Sequence, residues 1–325
     1  MRSALLVVAV LFAGCASAPQ TTISGDAACA PSADNKAWLS RAPDVWPLVS
    51  RNVFGLKSAE QHVTYVLFDA RCTFTSIDAH TWVSVAHGGK VVLPDGQELP
   101  AQVASFAAPA SADAAMMVMA LPSVWRADDV TSEMGLERLM FAVLAHEMTH
   151  TRQFGDYGPQ LVELEAIIGV GDEMTDDIIQ DKFSSNAEFA AAVERERDLL
   201  FAAAAETDTA KARALAGDAL VSMMARRTKW LSGDAAAFGE LEDVFLTMEG
   251  AGQFAGFSWL TQPKGGGLDH AAALKGMKRG KRWSQDLGLA LFMAIDRLTP
   301  AWPSEAFESP PRTALALLQA AVQGN

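Results

Sequence analysis

The spacing of apolar residues in the second half of the chain sets the strongest limit on its fold. From about residue 126 onward, Ala, Leu, Glu and Arg dominate, and apolar residues recur three and four positions apart. This is the period of amphipathic helices, so we expect a mainly helical part over 128–325. Helices are predicted over about 133–153, 186–205, 209–231, from the segment after Ser232-Gly233-Asp234 to beyond Glu249, 284–298 and 313–323.

The preceding part of the chain has the pattern of strands. Short runs rich in β-branched, aromatic and Met residues lie at 63–68, 82–85, 91–93 and 116–121. We therefore expect a small antiparallel or mixed sheet within 41–127, packed on the helical part in an α+β fold. Since 50% of the 325 residues are hydrophobic, 41–325 can also bury its core as one domain.

The charge of the chain limits its partners. Its formal net charge is -13, and no segment combines clustered Lys and Arg with aromatic residues. A surface that follows phosphates needs such a cluster, so nucleic acid is not an expected partner.

The N-terminus has the pattern of an export signal. Arg2 precedes an apolar run of about ten residues, which is too short to span a bilayer as a helix. The string Leu11-Phe12-Ala13-Gly14-Cys15 resembles a bacterial lipobox. This resemblance implies a signal peptide over 1–14 and a lipid anchor on Cys15, whereas an ordinary secretory signal cut near Ala18 is the alternative.

The residues after the signal suggest where the chain resides. Ala16, rather than Asp, follows the cysteine, which resembles the pattern of lipoproteins sorted to the outer membrane and facing the periplasm. Residues 15–40 are rich in Ala, Ser, Thr, Pro and Asp without an apolar period. We expect a flexible tether there between lipid and domain.

Two further cysteines remain, Cys29 and Cys72. An exported chain permits disulfides, so we expect a bridge between them that ties the N-terminal segment to the body. Two unpaired buried thiols are the alternative. Neither cysteine has a neighbour at metal-ligand spacing, so a zinc site in this chain must use His and carboxylates.

The segment that indicates chemistry is His146-Glu147-Met148-Thr149-His150, which lies within the first predicted long helix. Histidines four apart project from one helical face, so both imidazoles can bind one ion. Glu147 can reach a water molecule on that ion without being a ligand. Only 6 of the 325 residues are histidine, so two of them at this spacing favour a metal site. The alternative is that both belong to an ordinary amphipathic helix.

These residues resemble the zincin metallopeptidases, over about the central half of the chain. The resemblance implies a bound Zn²⁺, which lowers the pKa of its water, and Glu147 as the catalytic base. It also implies a zincin-like fold with the His-Glu-x-x-His helix in the site. A peptide or protein would be the substrate.

The third metal ligand separates the zincin branches. The metzincin extension requires Gly and His where this chain has Gln153 and Asp156, so that branch is disfavoured. The gluzincin branch uses a Glu from a later helix, and the best candidate is Glu249, next to Gly250. A lone carboxylate in such an apolar, small-residue stretch is costly to bury without a cation. The alternatives are Asp156, Glu165, Glu173 and Glu242.

Hydrolysis also requires a group that stabilises the developing oxyanion. The candidates for this catalytic role are Tyr157 and His270, which follows a glycine-rich stretch. The remaining histidines are interpreted as structural or surface residues: His62, His80 and His87.

The predicted function is peptide-bond hydrolysis by a zinc metallopeptidase. The first rival is a catalytically inactive zinc-binding envelope lipoprotein that acts as an interaction module, although such a site has no use for Glu147. The second rival is a non-peptide amide hydrolase on the same scaffold, from which the motif does not separate a peptidase.

Overall fold

The computed structural model describes residues 21–56, 62–111, 114–171, 174–277, 282–307 and 310–324. The strands in these ranges are β1 (Thr22–Gly25), β2 (His62–Phe68), β3 (Cys72–Ser76), β4 (Thr81–Ala86), β5 (Lys90–Val92), β6 (Glu98–Pro100), β7 (Ser105–Ser111) and β8 (Ala114–Ala120). The helices are α1 (Ala33–Arg41), α2 (Val45–Asn52), α3 (Pro122–Ala127), α4 (Leu136–Ile168), α5 (Ile178–Phe183), α6 (Ala187–Ala205), α7 (Thr209–Trp230), α8 (Ala236–Thr261), α9 (His270–Met277), α10 (Trp283–Leu298), α11 (Pro303–Ala306) and α12 (Ala314–Gln323).

The main sheet has the order β1-β4-β3-β2-β8-β7, and β5 and β6 form a separate hairpin. Strands β1 and β4 pair in parallel, as do β2 and β8, while the other pairs are antiparallel. The sheet is therefore mixed, and the fully antiparallel alternative is wrong. All four predicted strand segments are confirmed as β2, β4, β5 and β8.

The sequence pattern did not predict four of the described strands: β1, β3, β6 and β7. Strand β3 reads Cys-Thr-Phe-Thr-Ser, and β7 reads Ser-Phe-Ala-Ala-Pro-Ala-Ser. Both are poor in large β-branched apolar residues, and β7 also contains Pro109, which is tolerated because β7 is an edge strand. Tertiary pairing with neighbouring strands, rather than local propensity, sets their conformation.

The tether predicted over 15–40 is wrong where the structure describes it. Within 21–40, β1 joins the main sheet and α1 packs on the body. Trp38 of α1 is buried and stacks on Phe141 of α4 with ring centroids 5.1 Å apart. The predicted disulfide between Cys29 and Cys72 is present and holds this segment against β3. Cys15 and the signal segment lie outside the described residues.

The six predicted helices correspond to α4, α6, α7, α8, α10 and α12. The largest difference is the end of α4, which runs on to Ile168 although Gly155, Gly158 and Pro159 follow the predicted end near residue 153. It ends at Gly169, whose φ of 74° provides the left-handed cap. None of the described helices combines the length and apolar character needed to cross a membrane.

Helix α4 lies between the sheet and the other helices. It contacts β7 and β8 on one side and α8 on the other, while α8 packs against α10 and α10 against α6. Core residues come from both predicted parts of the chain, from Cys29 to Leu318, so the sheet and the helices share one hydrophobic core. The central helix α4 therefore carries its His-Glu-x-x-His segment in the interior of an α+β fold.

Candidate metal centre

Helix α4 places two imidazoles side by side. His146 and His150 are buried one helical turn apart, and their Nε2 atoms are 2.8 Å from each other. This is the arrangement that the four-residue spacing predicts, because both rings project from one face.

Helix α8 brings Glu249 to the same point. Its Oε2 lies 3.3 Å from Nε2 of His146, and its Oε1 lies 3.1 Å from Nε2 of His150. One ligand atom from each of the three residues lies within 4.8 Å of the others. Among the described residues, this is the one group of three or more His, Cys, Asp or Glu side chains that could hold a metal ion.

The two helices approach closely because α8 carries glycines at the contact. A Cβ built on Gly252 would lie 2.7 Å from Nδ1 of His146, and one built on Gly256 would lie 2.9 Å from the carbonyl oxygen of Ala142. Any side chain at these positions would push α8 away from α4. Gly250 instead lets α8 cross α10, since its Cβ would lie 2.7 Å from the Gly288 oxygen.

Two glutamines, which the sequence analysis did not assign, orient the group. Oε1 of Gln153 lies 3.0 Å from Nδ1 of His150. With Nδ1–H as the donor, Nε2 of His150 keeps its lone pair for a metal. Nε2 of Gln285 in α10 donates to Oε2 of Glu249 over 3.3 Å. Gln153 follows His150 by three residues and was detectable from helical spacing, whereas Gln285 is distant in sequence.

The electrostatics of the group favour a cation. Burial opposes ionisation of Glu249, yet the charges of His150 and His146 hold its pKa well below its usual range. Burial disfavours the charged form of His150, but the Glu249 carboxylate outweighs this and raises the pKa of His150 to about 9. Without a metal, the buried carboxylate must be balanced by protonated imidazole, and a divalent ion would replace that charge.

The donor set fits a divalent metal ion. Two imidazole nitrogens and one carboxylate, all buried and converging, leave room for a fourth, non-protein ligand, as metal sites with three protein ligands do. No protein-family model matches this chain, and no curated protein or solved structure matches it.

Glu147 lies beside the group but outside it. Its side chain is buried, and it faces the same cavity as His146. Burial raises the pKa of Glu147, while the neighbouring imidazoles and a hydrogen bond from the Ser105 side chain oppose this rise. Ser105 begins β7, so the edge strand of the main sheet positions the carboxylate.

The cavity has a volume of about 370 Å³. Apolar side chains from α3, the following loop and the start of α4 line part of it, including Trp125, Val130, Leu139 and Val143. The end of α9 contributes Met277. The polar lining residues are Ser105, His146, Glu147, Gln253, Arg282, Gln285 and Asp286. One of the three ligands, His146, thus borders a pocket large enough for a small substrate portion.

Neither predicted oxyanion group is among the residues that line this cavity. Tyr157 is buried, and its pKa is raised by burial and then by the charges of Asp243 and Asp156. His270 begins α9 and packs its ring against Phe257, with centroids 4.6 Å apart. The predicted catalytic roles of Tyr157 and His270 are therefore not supported by their positions, because neither side chain lines the cavity.

The alternative third ligands also lie elsewhere. Glu242 forms ion pairs with Arg226 at 2.6 Å and with Arg227 at 3.1 Å. Asp156 and Glu165 occur later on α4 and are not part of the described metal-ligand group. Glu173 lies outside the described residues. The geometry therefore assigns the third position to Glu249.

We expect Glu249→Ala to lower zinc affinity at least about 100-fold, because altering groups that merely orient ligands already costs 10–100-fold. Elemental analysis after zinc loading and dialysis measures this. Glu165→Ala, on α4 but outside the group, is the matched control and keeps its zinc. Unchanged zinc in Glu249→Ala would remove the ligand assignment.

Proposed function

We propose that the protein is a zinc-dependent hydrolase that cleaves peptide bonds, with a gluzincin-like ligand set of His146, His150 and Glu249. The observation that carries this proposal is the position of Glu147, buried beside the three ligands and facing their cavity. A purely structural zinc site has no use for a base there, whereas hydrolysis requires one.

Zinc is the metal that the donors favour. Imidazole nitrogen and carboxylate oxygen in a three-residue set with an open position are typical of catalytic zinc. When bound, the ion would supply Lewis acidity, which polarises a carbonyl group and lowers the pKa of water.

Glu147 would move the proton. Burial raises its pKa, which makes the Glu147 carboxylate a better proton acceptor. It would take a proton from the attacking water and deliver it to the amine that leaves. The Ser105 hydrogen bond would hold the carboxylate in place during both transfers.

A peptide is favoured over other amides by the strand beside the site. Strand β7 is at the edge of the main sheet, contacts α4, and begins at Ser105 on the cavity. An extended peptide can add to such an edge through main-chain hydrogen bonds. A small non-peptide amide gains nothing from this edge. An inactive zinc-binding module would need neither the β7 edge nor Glu147.

The proposed setting is the outer membrane facing the periplasm, with a lipid on Cys15 as the anchor. The lipobox-like string supports it, and so does the disulfide between Cys29 and Cys72, because such bonds persist in exported proteins. The substrate would then be an envelope peptide or protein.

We expect the zinc-loaded protein to cleave members of a broad peptide library, to lose this activity with a chelator, and to regain it with added zinc. Mass spectrometry of the library identifies new termini. His146→Ala, which lacks one ligand, serves as the negative control for contaminating peptidases. Absence of turnover on every peptide by zinc-loaded protein would favour the inactive binding module.

A further inference from the structure

The cavity beside the metal-ligand group has one positive side chain among its described lining residues, Arg282. Arg282 immediately precedes α10, and Gln285, one turn later on that helix, donates to the Glu249 carboxylate. The backbone of Arg282 is therefore about one helical turn from a residue that touches a metal ligand. The Arg282 side chain is 55% exposed and lines the cavity.

Arg282 has donors to spare. It forms an ion pair with Asp177 through Nη1. Its charge also acts on the nearby Asp176 carboxyl. A guanidinium carries five N–H donors in a planar fork, which is more than the ion pair with Asp177 uses. A second carboxylate could bind the remaining edge with two parallel hydrogen bonds.

The cavity is also lined by apolar side chains. These are Trp125, Val130, Leu139 and Val143, together with Met277 at the end of α9. A group that contacts both Arg282 and this apolar surface must therefore combine an apolar side chain with a negative charge. The last residue of a peptide with an apolar side chain has both features on one Cα atom.

We propose that Arg282 binds the C-terminal carboxylate of the substrate, so that the enzyme releases a single apolar C-terminal residue. This inference rests on the proposed function and adds its substrate class. In the reaction, the bond between the carbonyl carbon and the last amide nitrogen breaks. Water supplies hydroxyl to that carbon, and its proton passes through Glu147 to the nitrogen, which leaves as the amine of a free amino acid.

The test measures binding with the full-length, zinc-loaded Glu147→Gln protein, in which turnover is suppressed. The probes are N-acetyl-alanyl-phenylalanine with a free carboxylate and the same dipeptide as its C-terminal amide. Calorimetry is expected to give at least about tenfold tighter binding of the free acid. Adding Arg282→Met is expected to reduce this preference to less than about twofold, and Arg282→Lys to leave an intermediate preference because the fork is lost.

Arg126→Met is the matched control. Its side chain is 51% exposed and pairs with one aspartate, Asp34, as Arg282 pairs with Asp177. This variant keeps the full preference for the free acid. A third probe, N-acetyl-glutamyl-phenylalanine amide, carries its carboxylate on a side chain and is expected to bind no better than the neutral amide.

Equal binding of acid and amide, no binding of either, or a preference that survives Arg282→Met would overturn the inference. Tight binding of the side-chain carboxylate would likewise overturn the C-terminal assignment. The preference for the free acid could depend on Arg282 while the wild-type protein cleaves neither probe nor any library peptide. That result would support the carboxylate-binding site and contradict the proposed hydrolysis.

Discussion

Replacement of Glu147 by Gln is expected to lower kcat by roughly 10²–10⁴-fold while leaving the zinc content unchanged. Gln has nearly the same shape but cannot accept the proton of water. Because Glu147 lies outside the ligand group of His146, His150 and Glu249, its loss removes the base without removing a metal ligand. The buried site also tolerates a neutral amide better than it tolerates a carboxylate.

Steady-state kinetics on a peptide found in the library, combined with elemental analysis, would measure both effects. Glu165→Gln makes the same chemical change later on α4, outside the ligand group, and is expected to keep rate and zinc. A Glu147→Gln protein that hydrolyses at the wild-type rate would exclude Glu147 as the base. One that loses its zinc would show instead that Glu147 helps to hold the metal.

The helical part could be predicted from sequence because its apolar period is strong and long. The predicted boundaries of α6, α7, α10 and α12 agree with the structure to within about two residues, the usual uncertainty of helix ends. The segments whose structure was not predicted lack such a local signal. Strand β1 and helix α1 form because pairing with β4 and burial of Trp38 hold them to the body, which composition does not reveal.

In the site, too, the residues with a local sequence signal could be predicted and the others could not. His146 and His150 follow from helical geometry, and Glu249 follows from the cost of burying a carboxylate among glycines. Their convergence depends on Gly252, whose position against His146 links two distant helices. Gln285 and Arg282 reach the cavity from α10 and its start. No spacing rule connects them to the motif, so only the tertiary structure identifies them.

The largest effect on stability is expected from Arg226→Met, which should destabilise the fold by about 3–5 kcal/mol at neutral pH. The Arg226 side chain is fully buried in α7 and pairs with Glu196 of α6 at 2.9 Å and with Glu242 of α8 at 2.6 Å. Its guanidinium also lies over the ring of Phe189, 4.8 Å from the centroid. Removing the cation leaves two buried carboxylates near each other, which burial already disfavours at Glu196.

The cost of Arg226→Met should depend on pH in a defined direction. Without the guanidinium, the folded-state pKa of Glu196, which burial already raises, moves further above the unfolded value of about 4.3. The penalty is therefore small below pH 4, where this carboxyl is largely protonated in both states. It grows as pH rises through the unfolded pKa, because only the unfolded state then gains from ionisation. Urea unfolding at pH 4 and pH 7 measures the difference.

Two further variants distinguish the cost of an uncompensated buried charge from the cost of losing an ordinary ion pair. Arg126→Met removes an exposed pair and should cost about 1 kcal/mol or less, so it is the surface control. In the double variant Glu196→Leu, Arg226→Met, Glu242 keeps its ion pair with Arg227, so no buried charge is left without a partner, and most of the lost stability should return. Since Glu242 and the ligand Glu249 share α8, a destabilised network should also weaken zinc binding. A cost for Arg226→Met that is the same at both pH values would show that lost packing, rather than uncompensated charge, destabilises the variant.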